Sequence, residues 1–82
     1  MLQFTYRDEA YECDESAVRR YSFMCDVLDA DHDARASLRC FQALFPDGKD
    51  REYADRLGDS MDEMGHLLSA AIEAVGRSAK NS

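Results

Sequence analysis

The spacing of apolar and polar residues changes once, sharply, near residue 13. Before that point Leu2, Phe4 and Tyr6 alternate with polar neighbours, and Tyr11 and Cys13 alternate again after a polar link, Arg7-Asp8-Glu9. A period of two puts one set of side chains on one face of a strand. These residues therefore predict a β-hairpin over 2–13, with strands from Leu2 to Tyr6 and from Ala10 to Cys13. A two-stranded hairpin is marginal by itself in water, so it is expected to lie as a flap on whatever follows. From Asp14 onward the spacing is helical almost to the end.

The first helix is expected over about 14–29. Asp14 is placed to accept from the free N–H groups of the first turn, and Glu15 adds negative charge at the positive end of the helix dipole. Val18, Tyr21, Cys25 and Leu28 share one face, which Phe23, Met24 and Val27 widen beyond a single contact surface, so this helix is expected at the centre of the fold or against another chain. The run Asp29-Ala30-Asp31-His32-Asp33 interrupts the pattern. A second helix over 33–45 is expected to bury Ala34, Leu38, Phe41 and Phe45, with Leu44 extending that face, until Pro46-Asp47-Gly48 ends it. A short third helix, 50–57, presents Tyr53 and Leu57 and stops at Gly58. Ser60 and Glu63 form an S-x-x-E capping box ahead of Met61, Met64, Leu68, Ala71, Ile72 and Val75, predicting a helix over 60–75 with Gly76 as its C-cap. The fold class is mainly α with minor β: an N-terminal hairpin and a compact bundle of three to four short helices in one globular domain, 1–76, followed by a flexible tail, 77–82.

Size changes this picture by making stability scarce. A chain of 82 residues buries only about 60–65% of its unfolded surface, and a core of this size supplies roughly 3–5 kcal/mol, so help from a partner or a second copy is expected. Cys13, Cys25 and Cys40 are odd in number and lack C-x-x-C spacing, which reads as reduced, buried thiols of a cytoplasmic protein rather than a disulfide framework. No basic-then-apolar leader opens the chain, and no apolar run approaches the roughly eighteen residues of a membrane span, so a soluble protein is expected. The net charge is −7, and the last six residues carry Arg77 and Lys80 without an acid, leaving the remainder more acidic still. Such a surface repels phosphate backbones and anionic headgroups. Arg19-Arg20 is only a pair, flanked by Glu15 and Asp26, so neither direct nucleic-acid binding nor membrane binding is expected.

Candidate chemistry adds little. Asp29, Asp31 and Asp33 match the start of a calcium loop, but its sixth position, normally Gly, is Ala34, and its twelfth, normally Glu, is Cys40. His32 and His66 lack partners at metal-ligand spacing, and nothing local activates Cys25 or Cys40 as a nucleophile. No catalytic, metal or cofactor residues are assigned, and a non-enzymatic role is expected. Exposed helical surface is the remaining candidate: Met61, Met64, Leu67 and Leu68, at the start of the last helix, are assigned as partner-binding, methionine being suited to adaptable grooves.

The run Phe4-x-Tyr6-x-x-x-x-Tyr11-x-Cys13-Asp14, a hairpin leading directly into a capped helix with Tyr21 and Phe23, resembles the small tail assembly chaperones of long-tailed phages. Length and acidity fit as well. The resemblance implies a mostly helical protein in the bacterial cytoplasm, without a catalytic site, that binds the tape-measure protein so that tail-tube subunits polymerise around it. It also implies a ribosomal frameshift near the end of the frame, and Ala79-Lys80-Asn81 can be encoded GCA AAA AAC, which contains the slippery heptamer A AAA AAC. The alternative from charge alone is a small acidic inhibitor or nucleic-acid mimic that occupies a basic groove on a host protein.

Overall fold

The computed structural model describes residues 1–80 and is mainly helical, with one antiparallel hairpin at its start. Strands β1 (Leu2–Tyr6) and β2 (Glu9–Cys13) pair with Leu2 opposite Cys13, Phe4 opposite Tyr11 and Tyr6 opposite Glu9. Glu9, assigned to the link by sequence, belongs to β2. The loop is two residues, Arg7 and Asp8, both left-handed with φ of 52° and 66°, the backbone that a two-residue turn needs to match the twist of its strands. Phe4, Tyr11 and Cys13 are buried on the inner face.

The segment expected as one helix over 14–29 is two. Asp14 accepts from the Ser16 N–H at 3.0 Å and the Ser16 hydroxyl at 2.6 Å, capping a 3-10 turn, Glu15–Arg19, that buries Ala17. The Asp14 N–H donates to the Leu44 carbonyl at 2.8 Å, which ties the chain down here. Arg20 is extended, and α1 (Tyr21–Asp29) starts afresh after it. That break resets the helical phase: Phe23 and Val27 pack inward, whereas Tyr21 and Leu28, expected on a face at the centre of the fold or against another chain, are exposed.

Helix α2 (Ala34–Leu44) is capped by the Asp33 carboxylate, which accepts from the Arg35 N–H at 2.9 Å. It buries Ala36, Cys40, Phe41 and Leu44, with Phe45 directly after it, but Ala34 and Leu38 face out. The apolar arc of this helix is wider than its neighbours cover, and the row at i, i+4 and i+8 from Ala36 takes the interior. Left-handed Asp47 and Gly48 turn the chain into α3 (Lys49–Arg56), where Tyr53 is buried, and left-handed Gly58 and Asp59 turn it again.

Helix α4 (Met61–Lys80) runs straight through Gly76, which is therefore no C-cap, and Arg77 to Lys80 are helical rather than a flexible tail. The continuation lies against the 3-10 turn, where Val75, Ser78 and Ala79 share a crevice with Glu15 and Arg19. Asn81 and Ser82, the rest of the expected tail and the end of the frameshift motif, lie outside the described residues. One core joins every element, with Leu44, Phe45 and Leu67 sealed at its centre.

Candidate functional site

The start of α4 is fixed from two sides. The Glu63 N–H donates to Ser60 Oγ at 3.2 Å, which is half of the expected capping box. The Glu63 carboxylate is turned toward the hairpin instead: it accepts from the Tyr6 phenol at 2.8 Å and pairs with the Arg7 guanidinium at 2.9 Å. Burial, then the bond to Glu63, raises the Tyr6 phenol above its usual value of 10.0. The carboxylate that could have closed the cap thus anchors the flap.

Met61 is 58% exposed and Leu38, across from it on α2, is 48% exposed. Between them runs an open groove floored by Phe41 and Met64, with Ala54 of α3 in its wall and Gln42, Asp50, Arg51 and Asp59 around it. The four residues assigned to a partner do not form one surface. Met61 projects, Met64 lies on the floor, Leu68 is half-buried, and Leu67 is completely enclosed, so Leu67 belongs to the core and reaches no partner in the folded protein. Leu38 was placed inside by sequence. The signal for its exposure lies at its i±4 neighbours, Ala34 and Gln42, which are small and polar and mark the margin of the apolar stripe.

A second cluster, under the hairpin, is structural in character. Arg56 stacks over Tyr11 at 4.8 Å and Tyr53 at 5.3 Å while donating to the Ala10 carbonyl at 3.0 Å. Lys49 pairs with Glu12 at 3.4 Å, and the Gln3 amide and Lys49 together lower the Glu12 carboxyl. These contacts dock the flap on α3. The buried thiols are poor nucleophiles: burial pushes Cys13 from its usual 9.0 up to about 11, and Cys40 is raised in the same way.

The acidic corner between α1 and α2 holds Asp26, Asp29, Asp31 and Asp33. Arg39 donates to Asp26 at 3.0 Å, a bond that raises the guanidinium, with the fields of Asp33 and Asp29 adding to it. Asp33 is occupied as the α2 cap, and among the described residues no three His, Cys, Asp or Glu side chains are grouped to hold a metal ion. Among those residues, too, no helix is long and apolar enough to cross a membrane. No family model, curated protein or solved structure matches the chain.

Proposed function

We propose that this protein is a non-enzymatic tail assembly chaperone of a long-tailed phage or prophage, acting in the bacterial cytoplasm on the tape-measure protein. The observation that carries this reading is the apolar groove between Leu38 and Met61, which joins the resemblance of the N-terminal run noted above. A client helix lays its apolar stripe in the groove, against Phe41 and Met64, and the unbranched Met61 side chain adjusts to successive stretches of a long, irregular client. The net charge of −7 keeps the loaded complex dispersed until tube subunits displace it.

Co-expression with the tape-measure product of the same phage or prophage tests the reading. The wild-type chain is expected to co-purify with that product and raise its soluble fraction, whereas Leu38→Asp with Met61→Asp, both at exposed positions, is expected to fold normally and to lose both effects. Failure of the wild type to co-purify overturns the proposal. The acidic corner at Asp26 to Asp33 favours one other reading, occupation of a basic groove on a host protein. Binding of that kind weakens steeply with salt, while contacts through the apolar groove hold, so a salt series separates the two.

A further inference from the structure

The groove leaves a second apolar surface unused. On α1, Tyr21, Met24 and Leu28 are 86%, 48% and 71% exposed, and Cys25 beside them is half-buried. Their spacing of i, i+3, i+4 and i+7 makes one stripe, on the side of the helix away from Phe23 and Val27. The charges around α1 oppose its own dipole. Arg19 and Arg20 stand before its positive N-terminus, Asp29 and Asp31 at its negative C-terminus, with no acid in the first turn and no base in the last. Relief within the chain is partial: Arg20 reaches Asp14 only at 3.6 Å, and Arg39, paired with Asp26, also lies in the fields of Asp33 and Asp29.

We propose that a second copy of this chain covers the stripe, with the two α1 helices antiparallel about a two-fold axis between Met24 and Cys25. In that arrangement Tyr21 of each copy packs on Leu28 of the other, because both lie equally far from the axis. The same symmetry sets Arg20 opposite Asp29 and Arg19 beside Asp31 of the other copy, at both ends at once. The pairing answers the stripe and the inverted charges together; a parallel pairing would bring arginines to arginines and aspartates to aspartates. One nine-residue helix per copy makes a small interface, so the dimer forms at micromolar concentrations and weakens with salt. The inference stands apart from the chaperone reading and does not need it.

Sedimentation equilibrium of the full chain from low micromolar to submillimolar concentration is the test. A monomer–dimer equilibrium is expected. Leu28→Asp raises Kd by about 100-fold or more, with an unchanged circular dichroism spectrum, and Arg20→Asp raises it about tenfold. Arg20→Asp combined with Asp29→Arg restores it to within about threefold, because the swap recreates the cross-copy pairs. A short bis-maleimide joins the copies through Cys25, and Cys25→Ser abolishes the product. A chain that is monomeric throughout overturns the proposal, as does a dimer indifferent to Leu28→Asp or a charge swap that fails to restore association.

Discussion

The phenol oxygen of Tyr53 accepts the backbone N–H of Glu12 at 3.0 Å, joining the hairpin to α3 across 41 positions of sequence. The same ring packs edge-on between Tyr11, at 4.9 Å, and Phe45, at 5.3 Å. A hairpin of this length has little stability of its own, so its folding is bound to that of the helices through this side chain.

Tyr53→Phe keeps the ring but leaves the Glu12 N–H without its acceptor, at a cost of about 1 kcal/mol. Tyr53→Ala also opens a cavity between strand and helix, and about 3–5 kcal/mol is expected to be lost. Urea titrations followed by far-ultraviolet circular dichroism and tyrosine fluorescence should give one coincident transition for each variant. A hairpin signal lost before the helical signal would show that the two parts are not coupled.

The four residues assigned to a partner separate by stability. Leu67 is fully enclosed, so Leu67→Ala is expected to cost about 2–5 kcal/mol, a large share of what so small a core supplies. Met61→Ser, at an exposed position, should stay within about 0.5 kcal/mol of the parent. Thermal melts of the two variants check this. Equal losses would mean that Met61 is packed as tightly as Leu67.

The alternation at Leu2, Phe4, Tyr6, Tyr11 and Cys13 was enough to place both strands, because a period of two is short and each residue votes independently. The caps at Asp14 and Ser60 were legible for a similar reason, since each acts within two or three residues. What the sequence hid was phase. The extended Arg20 shifts the register of α1, and the bond that fixes the preceding turn, from the Asp14 N–H to the distant Leu44 carbonyl, is one that no local pattern records. The groove was half visible: Met61 was found, but Leu38 looked interior because its helix carries more apolar residues than its neighbours cover. Glu63 was read as a capping residue, and its attachment to Tyr6 and Arg7 depends on where the flap lands.

Burial of Cys13 and Cys40 predicts alkaline destabilisation. The folded chain holds the Cys13 proton up to about pH 11, whereas an ordinary thiol loses it near 9.0. The unfolded state therefore ionises first as pH rises, so this contribution to stability is complete below pH 9 and is lost as pH climbs through 11. The Tyr6 and Tyr11 phenols, also raised mainly by burial, add a loss of the same sign at higher pH. Urea midpoints measured from neutral to strongly alkaline pH should fall for the wild type and fall less for Cys13→Ala. Identical slopes would mean that the Cys13 thiol reaches solvent. A thiol reagent at neutral pH should label Cys25 in the folded protein and the other two only on unfolding.

Gly76 offers a decision by sign. As a left-handed C-cap it would resist any side chain, and Gly76→Ala would destabilise the protein. Inside α4, where a Cβ at this position meets nothing within 4 Å, alanine removes conformational freedom from the unfolded chain and is expected to stabilise the fold by about 0.5–1 kcal/mol. Gly65→Ala, in the same helix and equally unobstructed, should act in the same direction. Gly58, with φ of +78°, is the internal contrast: alanine there is forced into a left-handed backbone and should cost about 1 kcal/mol. Thermal denaturation of the three variants measures all three signs. A loss at Gly76 matching that at Gly58 would end α4 at that residue and detach Ser78 and Ala79 from the crevice they share with Glu15 and Arg19.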